Sequence, residues 1–569
     1  MAAESAHRSP TFSAKPPEAA VLSTMQDVPL LISRILTHGS TIHGGSQVIT
    51  WTGEGAPQRR SFAEIGSRAA QLAHALHDDL GVRGDDRVAT LMWNNAEHVE
   101  AYFAVPSMGA VLHTLNLRLP ANQLAWIVGH ASDRVIIANG SLLPLLGPLL
   151  PHLPGVEHVV VSGPGDRSVL EGASARVHEY EELLAGKPTT YDWPELDELQ
   201  AAAMCYTSGT TGDPKGVVYS HRSVYLHSMQ VNMAQSMGLT DADTSLVVVP
   251  QFHVNAWGLP HATFMTGVNM LMPDRFLQPG PLAEMIEAER PTHAAAVPTI
   301  WQGLLAELTA KPRDVSSLTQ VTIGGSACPP ALMAAFDELG MRVCHAWGMT
   351  ETSPLGTIAR PPAHAVGTDE EFAYRLTQGR FPAGVEARLS GPGGERLPWD
   401  GESAGELEVR GPWIAGAYFG GTDGEAFRPE DKFSADGWLK TGDVGTISHD
   451  GFLTLTDRAK DVIKSGGEWI SSVDLENALM AHPDVAEAAV VAVPDDKWGE
   501  RPLATVVLKE GATADFETLR AFLAERVAKW QLPERWTVIP AVPKTSVGKF
   551  DKKVIRKQYA SGELDVTQI

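Results

Sequence analysis

The segment Tyr206–His221 reads YTSGTTGDPKGVVYSH. Three glycines, four hydroxyl side chains between Thr207 and Thr211, one proline and one lysine share these positions, a mixture too polar for a core and too rigid for a linker. Backbone amides freed by glycine, hydroxyls that donate hydrogen bonds and one ammonium together form an anion-binding concavity. The spacing is not that of a P-loop, which needs G-x-x-x-x-G-K-[ST] between a strand and a helix. Here the order is Gly209-Thr-Thr-Gly212-Asp-Pro-Lys215-Gly216. QAAAMCY before the loop and GVVYS after it both have strand character, so a hairpin-type connection with no helix behind it is expected. A tight polar turn would explain the glycines, Asp213 and Pro214; it leaves the hydroxyl cluster and Lys215 unexplained. The stretch is therefore read as a phosphate cradle.

On either side the chain alternates between two periods. Helical patterns at 61–80, 96–109 and 121–131 are interleaved with the short apolar runs RVATLMW (87–93), AVLHTL (110–115) and RVIIA (134–138). Beyond the cradle come TSLVVVP (244–250), NMLMP (269–273), PLAEMIEAERP (281–291), HAAAVP (293–298) and QVTIGGSA (320–327). Such alternation predicts parallel strands covered by helices, in one large doubly wound body or two stacked ones. From about 380 to 456 glycine punctuation and short alternating runs (VEARLS, GELEVRG, GTISHDGFLTLTD) predict antiparallel sheet or a small barrel. After DRAKDVIKSGGEWIS, a capping-box pattern from Ser471 to Asp474 opens a helix. Two strands (486–493, 502–509) and an amphipathic helix with Phe516, Leu519, Phe522, Leu523 and Val527 on one face follow. The expected architecture is α/β: a large N-terminal domain, 1–456, of two stacked α/β subdomains plus a small β-barrel-like subdomain, then a small mobile α+β domain, 457–569.

A chain of 569 residues exceeds what one hydrophobic core supports. Residues 1–25 read as a loose tail without the apolar stretch of a secretory signal, and no apolar run is long enough to span a bilayer. Cys205, Cys328 and Cys344 lack zinc-ligand spacing, which points to reduced thiols and a cytoplasmic protein. The formal charge of -23 argues against a nucleic-acid binder. One basic concentration, PKTSVGKFDKKVIRKQY (543–559), has by itself the look of a solvated helix face.

A rival chemistry is serine acyl transfer. Ser546-Val-Gly-Lys549 matches S-x-x-K and Lys440-Thr-Gly442 matches K-T-G, yet their order is reversed, no S-D-N follows, and no G-x-S-x-G elbow or HExxH helix is present. Three other segments complete what a nucleotide needs. GGSACPP (324–330) ends an apolar strand with glycines that let a flat ligand approach. HAWGMTE (345–351) offers the Trp347 ring and the Glu351 carboxylate, able to hold a hard cation. KTGDVG (440–445) places Asp443 at a turn, where a carboxylate can accept from a sugar diol.

With these motifs in order, the chain resembles the acyl-adenylate-forming superfamily of acyl-CoA synthetases, firefly luciferase and the adenylation domains of nonribosomal peptide synthetases. The matching segments are YTSGTTGDPKGVVYSH, PQFHVNAWG, GGSACP, HAWGMTE, GELEVRGPW, GWLKTGDVG, DRAKDVIKSGGEWIS and PKTSVGKF. The resemblance implies that a carboxylate attacks the α-phosphorus of MgATP to give acyl-AMP, and that the coenzyme A thiol then displaces AMP. It implies that Thr207, Ser208, Gly209, Thr210, Thr211 and Lys215 embrace the phosphates and that Gly325 and Trp347 flank adenine, with Gly324, Ser326, His345 and Gly348 in the same nucleotide-binding motifs. Thr350 would bind phosphate, Glu351 would ligate Mg²⁺, and Asp443 and Arg458 would hold the ribose. Lys549 would bridge carboxylate and phosphate during adenylation, while Lys552 and Lys553 stay solvated. A hinge at Asp457 would then swing the last domain, bringing Lys464, Gly466, Gly467 and Glu468 toward the pantetheine arm.

His253 matches a residue near the substrate carboxylate and Trp257 a gate of the acyl tunnel in fatty acyl-CoA synthetases. Since His253 stands where amino-acid-activating domains carry an aspartate, and no carrier-protein serine motif follows, a medium- or long-chain fatty acid with free coenzyme A is expected. The alternatives are a ligase for a short acid such as methylthiopropionate, an adenylation enzyme loading a carrier protein, or a hydrolase using Ser546. A luciferase is disfavoured by the closing VTQI, which is not a peroxisomal tripeptide. Relatives include monomers and dimers, which leaves a homodimer open.

Overall fold

The computed structural model describes residues 23–569 except 208–213, 392, 421–424, 459–460, 466–467, 513 and 546–547. Ser208, Gly209, Thr210, Thr211, Gly466, Gly467 and Ser546 therefore lie outside the described residues, and for Arg458, Lys464 and Glu468 the backbone alone is described.

The cradle does join two strands. Ala201–Tyr206 and Gly216–Ser220 pair antiparallel, with Tyr206 opposite Gly216 and Met204 opposite Val218. Ala201–Tyr206 then continues in parallel with Val111–Thr114, Arg87–Leu91, Asp133–Asn139, His158–Ser162 and Arg176–Glu179. A second parallel array runs through Gln47–Thr50, Asn269–Met272, Thr244–Val247, His293–Ala296, Gln320–Ile323 and Arg342–Gly348. Helices fill the space between the sheets. Val88 and Leu112 of the first sheet and Val48 and Met270 of the second share one core with Phe62, Tyr102, Phe103 and Phe264. Phe264 stacks on Phe62 at 3.9 Å and leans on Phe103 at 4.4 Å; full burial of each such side chain contributes about 1.5–3 kcal/mol. A capping box opens the helix Phe62–His74, with Ser61 Oγ accepting from Glu64 N–H and the Glu64 carboxylate accepting from Ser61 N–H.

The β-rich segment expected near 380–456 is hydrogen-bonded onto the second sheet. From Arg342–Gly348 the ladder turns antiparallel through Leu355–Ile358, Gly379–Arg380, Phe452–Arg458, Leu439–Ile447, Gly405–Arg410 and Glu386–Ser390. Asp443 accordingly sits inside a strand, opposite Arg458, and not at a turn as its sequence neighbours suggest. The left-handed Gly442 (φ +74°) breaks the regular pleat beside it.

The last hundred residues build their own core. The hairpin of Val485–Asp495 and Gly499–Leu508, with Arg535–Val538 parallel to its second strand, packs Leu475, Leu479, Leu519, Leu523 and Trp536 together. Ser471 caps the helix Ser472–Met480 by accepting from Asp474 N–H. On this face Leu519 and Leu523 are buried while Phe516, Phe522 and Val527 are half-buried; the Arg526 guanidinium lies 3.5 Å over the Phe522 ring. No helix among the described residues is long and apolar enough to cross a membrane, and all three cysteines are buried and free.

Candidate active site

One cavity of about 430 Å³ lies where the large body meets the last domain. Its first wall is the neck of the hairpin. Thr207 N–H donates to the Lys215 carbonyl (2.9 Å) and Lys215 N–H to Thr207 Oγ1 (3.2 Å), so both residues face the cavity at the base of the cradle. Facing them is the short turn Thr350–Thr352, reached directly from Arg342–Gly348. Tyr219 holds this turn through the Thr350 carbonyl (2.8 Å), and the Tyr418 phenol donates to Glu351 Oε1 (2.6 Å). Burial and the Glu351 carboxylate push the Tyr418 phenol far up, so it stays a donor. The Lys215 ammonium lies 5.1 Å from the Tyr418 ring. Glu351 is therefore oriented by a tyrosine that sequence reading missed, 67 residues away and in no motif.

The second wall is a slot. Gly325 has φ +85°, and a Cβ there would come within 3.2 Å of both Val297 Cγ1 and Lys549 Cε. At Gly324 a Cβ would meet the Ala346 carbonyl at 3.1 Å and the Trp257 ring at 3.2 Å. Only glycine admits these approaches without displacing a neighbour. Trp347, opposite, lies flat on the backbone of Gly356, where any Cβ would fall 2.2 Å from the ring, and its indole N–H donates to Asp443 Oδ2 (2.7 Å). Ser326 and Gly348 also line the cavity. The His345 ring is engaged with the backbone: Cys328 N–H donates to Nε2 (3.3 Å) and Nδ1 faces the Leu376 carbonyl (3.2 Å). It thus fixes the glycine loop.

The third wall carries His253 and Trp257. Val254, Asn255, Ala256 and Trp257 all have positive φ (46°, 52°, 49° and 57°), a left-handed turn followed by Gly258 at 76°. Each such residue costs about 1–2 kcal/mol, and strain of this kind persists only where the surroundings over-determine it. Burial, with Lys549 and Arg118 adding positive charge nearby, holds the His253 imidazole down at about 3; the ring is neutral at pH 7.

Lys549 comes from the last domain. Thr545 N–H donates to the Lys549 carbonyl (2.7 Å), Gly548 N–H to the Thr545 carbonyl (2.9 Å), and Thr299 Oγ1 of the body to the Gly548 carbonyl (3.3 Å). Two glycines, Gly325 and Gly548, flank the contact. Asp457 also lines the cavity, and its carboxylate accepts from Ser472 N–H (2.7 Å) and from Ser472 Oγ. Lys552, expected to be solvated, is half-buried instead, its side chain 11% exposed. Its ammonium pairs with Glu476 at 2.7 Å and donates to Ser472 Oγ. The helix Lys552–Ala560 turns this lysine toward Ser472–Met480 while Lys553 stays exposed. Val231 and Met237, which line the same cavity, were also missed, because neither stands in a motif.

Comparison with known proteins agrees with this architecture. The AMP-binding enzyme family matches residues 41–419, and the AMP-binding enzyme C-terminal domain matches 474–549. The chain is 45% identical to 3-methylmercaptopropionyl-CoA ligase of Ruegeria pomeroyi, over 95% of this chain and 99% of that protein. It is 41% identical to medium-chain-fatty-acid–CoA ligase of Ectopseudomonas oleovorans, over 95% and 98%. Among solved structures, the anthranilate CoA ligase AuaEII in complex with anthranoyl-AMP aligns with a TM-score of 0.83 at 25% identity, over 95% of this chain and all of that one. With two family models that together span most of its length and relatives matched along nearly their whole length, the chain belongs to the AMP-binding enzyme family and, within it, to the acyl-CoA ligases.

Proposed function

We propose that this ligase activates a medium- or long-chain fatty acid, with the cavity residues dividing the work as follows. The carboxylate oxygen attacks the α-phosphorus of ATP, pyrophosphate leaves, and the thiol of coenzyme A then attacks the acyl carbonyl, losing its proton as AMP departs. Thr207 and Lys215 bind the β- and γ-phosphates, joined by Ser208, Gly209, Thr210 and Thr211. Gly324 and Gly325 on one side and Trp347 on the other receive adenine, with Ser326 and Gly348 beside them. Asp443, already oriented by the Trp347 indole, accepts from the ribose hydroxyls together with Arg458. Thr350 binds the α-phosphate. Lys549 offsets the charge that builds on the carboxylate and the non-bridging phosphate oxygens, an electrostatic role suited to a dry site. The neutral His253 offers the carboxylate a hydrogen bond without adding charge.

The donor set suits Mg²⁺ carried in by phosphate. No cluster of three His, Cys, Asp or Glu that could hold a metal occurs among the described residues, and one carboxylate plus phosphates and waters is a typical Mg²⁺ arrangement. Glu351 would be the protein ligand, and the ion would neutralise charge on the phosphates. After adenylation, rotation about Asp457 would withdraw Lys549 and bring Lys464, Gly466, Gly467 and Glu468 to the pantetheine arm.

The observation that carries this reading is the convergence of Lys549 with Gly325, Thr207, Trp347, Glu351 and Asp443 on one cavity. The test is carboxylate-dependent exchange of pyrophosphate into ATP, followed by thioester formation with free coenzyme A. Exchange with no acid from short to long chain would overturn it. A second reading, a short thioether acid, draws on the 45% identity to 3-methylmercaptopropionyl-CoA ligase.

A further inference from the structure

A braced backbone turn contributes to the cavity wall. Val231 and Met237 line the same space as His253, Trp257 and Lys549. Their place is fixed by the helix His221–Asn232. One turn before Val231, the His227 ring packs against Gly258, where a Cβ would fall 2.6 Å from it, directly behind the Trp257 turn. One cavity is thus lined both by Lys549 and His253 and by Trp257, Val231 and Met237. After the helix the chain folds back: Ser236 N–H donates to the Met233 carbonyl (2.7 Å) and Met237 N–H to the Val231 carbonyl (3.0 Å), locking the two lining residues to one another.

Arg360 and Gln320 clamp this turn from outside. Arg360 Nε donates to the Ser236 carbonyl (2.7 Å), its Nη2 to the Met237 carbonyl (2.9 Å) and to Gln320 Oε1 (2.7 Å), and Gln320 Nε2 also donates to the Met237 carbonyl (2.9 Å). Met237 is 5% exposed. A guanidinium with three fixed acceptors holds a position far better than a single neutral bond.

Gln320 also supplies a ruler. It begins the strand Gln320–Ile323, which delivers Gly324 to the cavity beside Trp257. Four steps at about 3.3 Å along this strand separate Gln320, which bonds the Met237 carbonyl, from Gly324 beside Trp257, roughly 13 Å. The Met237 side chain projects back into part of that length. An extended acyl chain, with staggered single bonds of about 1.5 Å, advances about 1.3 Å per carbon. We infer that Met237, set in place by Arg360 and Gln320, closes the acid tunnel at a depth fitting a medium-chain acid of about six to ten carbons. Met237 and Val231 are the specificity-determining side chains and Arg360 is a positioning residue. This rests on the acyl-CoA ligase reading above and narrows its substrate.

The experiment measures thioester formation by the full-length protein with free coenzyme A over even-numbered acids from acetate to stearate, together with 3-methylthiopropionate. For the wild type, kcat/KM should climb about fourfold per methylene to an optimum between about six and ten carbons, then fall. Met237→Ala removes three heavy atoms and should move the optimum about three carbons longer; Met237→Trp should move it shorter. Val231→Ala, a smaller truncation, should move it in the same direction as Met237→Ala and serves if that variant is unstable. Arg360→Met should broaden the profile, with Arg360→Lys partly restoring the optimum, a change in selectivity that a general loss of stability would not produce. A wild-type optimum at acetate, at 3-methylthiopropionate or beyond about twelve carbons overturns the inference, as does an unmoved optimum in the folded Met237 and Val231 variants. Absence of pyrophosphate exchange with every acid would instead strike the ligase reading on which it rests.

Discussion

The body and the last domain contribute to one cavity in opposite ways. The body offers walls built from paired strands: the cradle hairpin, the Gly324–Gly325 slot and the Asp443 strand are each fixed by ladders on at least one side. The last domain contributes lining residues that include Lys549, which stands on a short turn whose contact with the body includes the Thr299–Gly548 hydrogen bond. Walls must serve both half-reactions, because AMP stays bound throughout; a single lysine on a turn can serve one and leave. The contrast extends to electrostatics. His98, His221, His227, His261 and His293, all buried and neutral, belong to the body, whereas the last domain's one histidine, His482, is only half-buried.

The largest expected effect tests that contrast by pH. Burial holds His98, His221, His261 and His293 at about 4 and His227 at about 3. They are unprotonated in the fold, while the unfolded chain takes up protons near pH 6.5. Their contribution to stability is therefore complete above about pH 6.5 and is lost as pH falls toward 4, at up to about 1.4 kcal/mol per pH unit for each ring. Scanning calorimetry between pH 7.5 and 5 should show the body's transition falling steeply and the last domain's much less; parallel falls would erase the distinction. Next in size, Lys549→Ala should lower adenylation by about a thousandfold yet leave conversion of preformed acyl-AMP and coenzyme A to thioester near normal. Equal loss of both steps in a folded variant would make Lys549 part of the common wall.

Glu476→Gln should destabilise the last domain by about 3 kcal/mol, since it removes the buried carboxylate that pairs with the Lys552 ammonium; limited proteolysis should then cut after about residue 457 while the body survives. Smallest, Asp443→Ala orphans the Trp347 indole N–H and removes the acceptor proposed for ribose, a cost of about 1–3 kcal/mol. It should raise KM for ATP and weaken acyl-AMP binding together, the mark of a wall residue. If only one half-reaction suffers, the division of labour drawn here fails at that position.

Much of this was legible in the sequence, and the parts that were not share a cause. The hairpin around the cradle, the parallel runs and the Ser471 cap are set by local periodicity and turn chemistry, and they stand as expected. Trp347, Glu351, Asp443 and Lys549 sit in motifs, and the structure gathers them at one cavity. Tyr418, which orients Glu351, and Arg360, which braces Met237, act across long sequence separations and leave no local signature. Lys552 was misjudged because a basic run has the same composition whether a helix points one member inward or none; only the packing of Lys552–Ala560 against Ser472–Met480 decides. Asp443 was placed at a turn because Gly442 normally marks one, whereas here the glycine kinks a strand that continues.

The left-handed turn at Val254–Trp257 has a practical corollary. Four non-glycine residues held at positive φ make this the place where the protein is cheapest to stabilise. Asn255→Gly or Ala256→Gly would release backbone strain where most substitutions add it, and so raise the melting temperature. The same release would loosen Trp257 at the mouth of the acid tunnel. A stability screen run without an activity assay would select such variants and return a hardier protein with a leakier gate.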